Sequence, residues 1–366
     1  MPIIVLYFLL NNLNLFEVAI LASIAAIIGL LLEIPAGAIT DKYGKKSAMI
    51  LVGFFSLGMM IFYFIGNSFE EFIIASIFLG LWSAFTSGAR EALLFDTLVE
   101  LKRKIEFKQI FGKTIFYSHI GNAVLLLAVP VIYSFDVKLP FLIGIIFSAA
   151  IIFLGTLIKE PRIETEKDHL YISSSIKEIL SKKKILFILV LMMVSFASLF
   201  AFSEFKQPLL VIAGIDIIYF GVIYATIRAL SGLGGMIPHK INKKKTAKII
   251  DIIGVLLILF SFLFFFFNTG VTIITGILLI SLSEGIIRVS MYDTLNNIIS
   301  SANRTTILSI ASVLQQAYKA VIVLIMGYLA DLIGLTQMFF PATIIFIIAI
   351  FLTLIIFRNH ASIILK

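Results

Sequence analysis

Charged side chains that interrupt long apolar runs are the residues of this chain most able to do chemistry. The set comprises Glu33, Arg90, Glu91, Glu284, Arg288 and Lys319. A charge inside hydrocarbon costs free energy, so such residues usually line a substrate or ion pathway or pair with one another. Each is therefore a candidate for the path of a substrate or a proton.

Glu284 and Arg288 are four residues apart, which places them on one face of a helix. A carboxylate beside an arginine in a low-dielectric cavity can bind a proton or exchange it for a cationic group. Mutual neutralisation of the two charges is the alternative, and the sequence leaves both open.

Glu33 and Arg90 each lie about two turns from the same end of their apolar runs, so their depths are similar. The spacing allows an ion pair between them, either as a purely structural pair or as part of a gate. Two further charges, Glu204 and Lys206, stand at the end of an apolar run and are interpreted as marking the outer membrane surface. His119 is expected to be a neutral, hydrogen-bonded imidazole rather than a proton relay.

These charges must be positioned by membrane-spanning helices. The chain has 366 residues, of which 60% are hydrophobic and 14% are charged, whereas a soluble domain has about 25% charged residues. About 20 apolar residues cross a bilayer. The complete spans are predicted at 18–39, 48–65, 72–94, 110–133, 139–158, 185–205, 217–237, 249–267, 271–289, 307–329 and 338–357.

The first apolar run is shorter than a span. It covers only Pro2 to Leu10, before Asn11, Asn12 and Asn14 interrupt it. This run predicts the second half of a span, which makes twelve spans with the first one partial. We expect a natural form that begins further upstream.

Basic residues predict the orientation. If the chain begins on the cytoplasmic side, the cytoplasmic loops carry 20 Lys and Arg residues and the opposite loops carry only Lys138 and Lys206. Cytoplasmic loops are enriched in Lys and Arg, so this imbalance also predicts a cytoplasmic C-terminus. The net charge of +8 is explained by topology, and no nucleic-acid partner is expected.

The longest polar stretch divides the spans into two sets of six. It covers residues 159–184, between predicted halves 1–158 and 185–366, and within it Ser173–Leu180 is either an amphipathic helix on the membrane face or a plain linker. An internal repeat supports the division. Gly88 and the sequence Asp96-Thr97-Leu98 recur 197 residues later as Gly285 and Asp293-Thr294-Leu295.

A glycine-rich basic loop between the second and third spans carries the most specific motif. Its defining residues are Gly37, Asp41, Lys42, Gly44, Lys45 and Lys46. The glycines predict a tight, closely packed turn, and Asp41 is expected to accept hydrogen bonds from backbone N–H groups at a helix start. The lysines are expected to interact with acidic helix ends such as Asp96.

This loop resembles the signature G-x-x-x-D-[RK]-x-G-[RK]-[RK] of the major facilitator superfamily, and every defining position matches. Gly327, Asp331 and Gly334, at the end of the eleventh span, look like a further echo of the family. The resemblance implies an all-α polytopic membrane protein with two parallel six-helix halves. The first, fourth, seventh and tenth spans would line its central cavity.

The function implied by the resemblance is secondary transport of a small solute by alternating access, with proton coupling and efflux. The signature loop would then lock the two halves together on the cytoplasmic side. The alternative is a non-transporting receptor or scaffold on the same fold. An enzyme is not expected, and neither is a cofactor or metal site, since the chain has no cysteine and its four histidines are scattered. The expected setting is a bacterial plasma membrane, with the protein as a monomer in the lipid bilayer beside an ion gradient.

Overall fold

A computed structural model describes residues 1–86, 89–161, 171–238, 244–300 and 303–357. Regular structure within these residues is helical. The α-helices are α1 (Ile4–Leu10), α2 (Leu15–Tyr43), α3 (Lys45–Ile65), α4 (Phe69–Thr86), α5 (Ala89–Glu100), α6 (Phe107–Phe135), α7 (Leu139–Leu157), α8 (Tyr171–Ser181), α9 (Lys183–Ile212), α10 (Phe220–Met236), α11 (Lys244–Phe266), α12 (Gly270–Ile298), α13 (Arg304–Ile333) and α14 (Phe339–Ile356).

Ten helical segments in the described residues are long and apolar enough to cross a membrane. Helix α11 adds a shorter apolar segment, Ile252–Phe266. The predicted all-α polytopic membrane class is confirmed. Helix α1 has only seven residues, in line with the short first run.

Several helices extend past their predicted ends. Helix α9 continues through Pro208 to Ile212, and α12 continues to Ile298, although the apolar runs end near 205 and 289. The sequence pattern marks where hydrocarbon-compatible residues stop, whereas a helix continues as long as its backbone hydrogen bonds are made. The predicted fourth span is described as two helices, α4 and α5, and Ser87 and Gly88 between them lie outside the described residues.

The chain divides into two compact units. The first comprises Met1–Leu13 and Ile20–Glu166, and the second comprises Asn14–Ala19 and Lys167–Lys366. The first turn of α2 thus groups with the second unit, while the rest of α2 belongs to the first.

In the first unit, α3 packs against both α4 and α7. Part of its core consists of Ala36, Ala48, Val52, Ala84 and Phe85. Helix α1 is tied to this unit through Tyr7, which is buried and donates a hydrogen bond to the carbonyl oxygen of Tyr63 at 2.8 Å.

In the second unit, α12 packs against α10 and α11, and α9 packs against α13. The α10–α12 crossing is close because a side chain at Gly285 would collide with the backbone carbonyl of Ser231. Phe202, Phe262, Phe265 and Phe339 form an aromatic core in this unit.

Candidate functional site: the signature loop and two charged cavities

Most residues of the signature loop belong to the two helices that it connects, and only one residue lies between these helices. Gly44 separates α2 from α3 and has a φ of 91°, a conformation that side-chain-bearing residues rarely adopt. The Lys45 ammonium, at the start of α3, forms an ion pair with the Asp96 carboxylate on α5. The loop therefore joins three helices of the first unit.

The carboxylate at the start of α3 comes from Glu160, just after α7. It accepts hydrogen bonds from the backbone N–H groups of Lys45 and Lys46 at 2.7 and 2.6 Å. The Lys46 ammonium in turn donates to the carbonyl oxygen of Thr156 at 2.7 Å. Backbone N–H groups of a first helical turn lack helical partners, so Glu160 satisfies two of them.

One detail of the sequence interpretation needs correction: Gly37 does not lie in a tight turn, because α2 continues to Tyr43 and a side chain at Gly37 would meet nothing within 4 Å. Asp41 lies in the last turn of α2, and the cap at the start of α3 comes from Glu160, so the contact of Asp41 with a helix start stays a prediction. The side chain of Asp41 lies outside what the structure describes, and that of Lys42 is 5.0 Å from the ring centre of Tyr43.

A cavity of about 310 Å³ in the first unit lies between α5 and α6. Arg90 and Glu91 line it from α5, and His119 and Asn122 line it from α6. The structure thus brings together polar residues that their spacing in the sequence does not connect. Glu33 is half-buried on α2, and its pairing with Arg90 stays a prediction.

The second unit holds two ion pairs within its apolar helices. The Arg288 guanidinium bonds the Glu284 carboxylate at 2.8 Å along α12. The Lys319 ammonium of α13 bonds the Glu204 carboxylate of α9 at 2.7 Å, and both side chains are 22% exposed. The second pair joins two helices, so it contributes to packing as well as to charge balance.

The interpretation of Glu204 and Lys206 as markers of the membrane surface stays a prediction. Both lie within α9, which continues to Ile212. Lys206 is electrostatically coupled to Glu284, Glu204 and Arg228, and its ammonium lies 5.4 Å from the ring centre of Phe202. Glu204, Lys206, Arg228, Glu284, Arg288 and Lys319 thus form one charge cluster, as we call it below.

A cavity of about 590 Å³ opens beside this cluster. Arg288 and Tyr292 line it from α12, Phe196 from α9, and Gln315 and Gln316 from α13. Gln315 and Gln316 stand one turn before Lys319 on the same helix, and this spacing is the signal in the sequence that marks them as part of a polar face.

The polar stretch between the predicted halves contains a helix, α8. Its Glu178 carboxylate accepts hydrogen bonds from the backbone N–H of Ser300 at 3.0 Å, the Ser300 hydroxyl at 2.6 Å and the Asn303 amide at 2.6 Å. Lys182 pairs with the same carboxylate at 2.8 Å. Led by the Lys182 hydrogen bond, these contacts lower the pKa of Glu178 to about 2. Of the two interpretations of this stretch, the structure supports a helix, here tied to the second unit.

These features define the class of protein: a multi-pass, all-helical membrane protein with charged cavities in its apolar helices. A family model for the Major Facilitator Superfamily matches residues 1–322, and the chain belongs to that family of transporters. It is similar to YxaM of Bacillus subtilis strain 168, an uncharacterized MFS-type transporter, with 25% identity over 233 residues. That alignment covers 61% of this chain and 57% of the relative, so the chain spans little more than half of the relative's length.

Solved structures show the same fold. The nucleoside transporter NupG matches with a TM-score of 0.81 and 12% identity, covering 98% of this chain and 94% of that one. A bacterial homologue of the human lysosomal transporter Spinster, in an inward-facing and unoccupied conformation, matches with a TM-score of 0.75 and 13% identity, covering 99% and 94%. At these identities the likeness establishes the fold and not the substrate.

Proposed function

We propose that the protein is a secondary transporter that moves a small solute by alternating access and couples this movement to a proton gradient. The family supports transport in general. The observation that carries the coupled mechanism is the Glu284–Arg288 pair, because it lies in an apolar helix and Arg288 lines the 590 Å³ cavity.

The pair can exchange a proton for a substrate. When Glu284 is ionised, its carboxylate holds Arg288; a proton on Glu284 removes that charge and releases the guanidinium. Arg288 is then left without its partner beside a cavity, where a substrate group can replace the carboxylate. Proton binding and substrate binding thereby become linked events.

The signature loop supplies the gate in this proposal. In the resembled family it locks the two halves together on the cytoplasmic side when the transporter faces outward. The Lys45–Asp96 pair and the Glu160 cap support this role by holding the loop to three helices. Asp41 would supply the lock itself, through a helix N-terminus whose dipole favours an anion.

Export, a monomeric state, a bacterial plasma membrane and a cytoplasmic C-terminus belong to the same proposal. The imbalance of basic residues between the two sets of loops supports the orientation. Direction is tested by comparing right-side-out with inside-out vesicles.

The test is solute flux in vesicles that contain the purified protein and carry an imposed pH gradient. We expect flux of at least one solute in a chemically diverse panel, and its abolition by a protonophore. Glu284→Gln should remove the dependence of flux on pH, and Arg288→Ala should be more damaging because it leaves Glu284 without its cation. Glu106→Gln, a change at an exposed surface pair, is the control.

Two outcomes would contradict the proposal. Flux that is unchanged by the gradient and by Glu284→Gln would assign the pair to structure. A folded protein that moves none of the solutes would favour a receptor or scaffold on this fold.

A further inference from the structure

The cavity beside the charge cluster has an aromatic wall. The rings of Phe196 and Phe200 on α9 stack with centres 6.2 Å apart, and the ring of Tyr292 lies 5.9 Å from that of Phe196. All three residues line the cavity. A flat ring of a ligand can pack against such a wall in stacked or edge-to-face geometry.

A buried hydrogen-bond donor without a partner belongs to a residue that lines the same cavity. Gln315 is only 4% exposed, and among the described residues its side-chain amide nitrogen has no hydrogen-bond partner. A buried donor without an acceptor is costly, so most such groups in folded proteins are satisfied by protein, water or ligand. The donor requires an acceptor atom, such as a carboxylate or carbonyl oxygen of a ligand.

Positive charge exceeds negative charge in the charge cluster, of which Arg288 lines the cavity. The charge cluster contains four cations, Lys206, Arg228, Arg288 and Lys319, but only two carboxylates, Glu204 and Glu284. One guanidinium nitrogen of Arg288 is hydrogen-bonded to Glu284, and the Arg288 side chain remains 51% exposed. A planar guanidinium has five N–H donors, so several remain for a second anion.

We propose that the substrate is an organic anion in which a carboxylate is attached to an aromatic ring. The carboxylate lies between Arg288 and Gln315, and the ring packs on Phe196, Phe200 and Tyr292. This assignment rests on the proposed transport function, and it links to the coupling step: a proton on Glu284 releases Arg288 for the substrate carboxylate.

The test is equilibrium binding to the full-length protein in lipid nanodiscs, measured by calorimetry. The probes are benzoate, its neutral analogue benzamide, the cation benzylamine, and uridine. We expect benzoate to bind at least tenfold more tightly than the other three. Gln315→Leu should weaken benzoate binding about tenfold, and Gln315→Glu should reverse the preference in favour of benzylamine. Gln109→Leu, a matched change at an exposed amide on α6, should leave all affinities unchanged.

The outcomes separate the substrate class from transport. Equal affinities for benzoate and benzamide, a preference for uridine, or unchanged binding in both Gln315 variants would overturn the class. If benzoate binds as expected but does not cross vesicles, the class stands and the transport proposal fails. If another solute is transported while benzoate does not bind, transport stands and the class fails.

A separate observation concerns the other end of α2. Asn14 and Glu17 cap this helix reciprocally: each backbone N–H donates to the other residue's side chain at 2.8 Å. The two N–H groups between them, of Leu15 and Phe16, donate to the carboxylate of Asp331 on α13 at 3.0 and 2.8 Å. Asp331 therefore completes the cap from a distant part of the chain.

The contact is reinforced by close backbone packing. A side chain at Gly327, one turn before Asp331, would meet Ala19 and the carbonyl oxygen of Leu15. Gly327, Asp331 and Gly334 have the spacing of Gly37, Asp41 and Gly44. Since α2 has 29 residues, its two ends are roughly 40 Å apart.

We infer that Asp331 is a latch on the side of the membrane opposite to the signature loop. It holds the start of α2 against α13 in the inward-facing state, and releases it when the outer side opens. The second unit already includes the first turn of α2, although the rest of that helix belongs to the first unit.

The test uses one introduced cysteine in the native, cysteine-free chain. Ser312→Cys lies in the 590 Å³ cavity, in the part of α13 nearer its predicted cytoplasmic end, and is labelled in inside-out vesicles with a membrane-impermeant maleimide. Adding Asp331→Asn should lower the labelling rate about threefold or more, because outward-facing forms become more populated. Gly327→Ala, which weakens the same contact by steric means, should act in the same direction.

Glu17→Gln is the matched control. It changes an acidic residue at the same helix start, which bonds Asn14 directly before α2 and, among the described residues, forms no hydrogen bond with α13. It should leave the labelling rate unchanged. Equal effects of Glu17→Gln and Asp331→Asn, or faster labelling in the Asp331 and Gly327 variants, would overturn the latch.

Discussion

The C-terminal ends of α2 and α13 carry the same spacing of glycine and aspartate, and they end in the same backbone turn. Gly44 has φ 91° and ψ 157°, and Gly334 has φ 98° and ψ 152°. Their surroundings differ. A methyl group added at Gly37 would meet nothing within 4 Å, whereas Gly327 packs against the start of α2.

The difference shows which part of the shared glycine–aspartate motif is determined by its own residues and which part depends on neighbouring helices. A glycine in the left-handed region ends the helix and turns the chain wherever it occurs, so both motifs share that geometry. The helix start that receives a carboxylate depends on what packs nearby. Asp331 caps α2, whereas the start of α3 is capped by Glu160.

The largest effect is expected from Gly44→Val. A branched residue is strained at this φ, at about 1–3 kcal/mol, and its Cβ would lie 2.6 Å from the Glu160 carboxyl carbon, so the cap of α3 would be displaced as well. We expect a lower melting temperature in detergent and loss of transport. Gly37→Val is the control and should be close to neutral, because its position is open.

Gly334→Val sharpens the comparison. It has the same backbone strain, but its new side chain would meet only the flexible Gln337 side chain. We therefore expect a smaller fall in melting temperature than for Gly44→Val. Equal falls in melting temperature would mean that displacement of the Glu160 carboxylate does not contribute to the destabilisation by Gly44→Val.

Glu160→Ala should have an intermediate effect. It removes the acceptor for two backbone N–H groups at the start of α3. The carboxylate is exposed, so water replaces part of the interaction, and we expect about 1 kcal/mol of destabilisation. The melting temperature in detergent measures this effect, with Lys159→Ala at the neighbouring exposed residue as the control.

The Glu178 contacts predict a pH dependence. Its pKa is lowered from the ordinary value of 4.5 to about 2 in the folded protein, so its ionised form stabilises the fold. This contribution is complete above about pH 4.5 and is lost as the pH falls towards 2. We expect Glu178→Gln to lower the melting temperature at pH 7 and to differ little from the parent near pH 2. An equal difference at both pH values would contradict the proposed role of the charge.

The sequence predicts the membrane class and the family well, because apolar runs of about 20 residues and the residues of the signature loop are local patterns. It predicts the Glu284–Arg288 pair through i, i+4 spacing. It does not predict Lys319–Glu204, Glu178–Ser300 or the Glu160 cap, since these contacts join residues more than 100 positions apart. Only the packing of helices decides such partners.

Asp41 and Asp331 should shift the equilibrium between inward-facing and outward-facing forms in opposite directions. Of the changes discussed, their substitutions should affect stability least. We expect Asp41→Asn to favour inward-facing forms and to raise labelling of Ser312→Cys, while Asp331→Asn lowers it. A charge at a helix N-terminus contributes about 0.3–2 kcal/mol, so each change should shift the equilibrium roughly two- to thirtyfold without unfolding the protein.

The double variant is the decisive measurement. If one motif stabilises the outward-facing form and the other the inward-facing form, the free-energy changes caused by Asp41→Asn and Asp331→Asn have opposite signs. The labelling rate of the variant that carries both changes should then return towards the parent rate. Distant sites that act independently on the same equilibrium add in free energy, so the double-variant rate can be calculated from the two single variants. If both single variants shift labelling in the same direction, then the shared spacing reflects only a common helix ending, and the two motifs do not oppose each other.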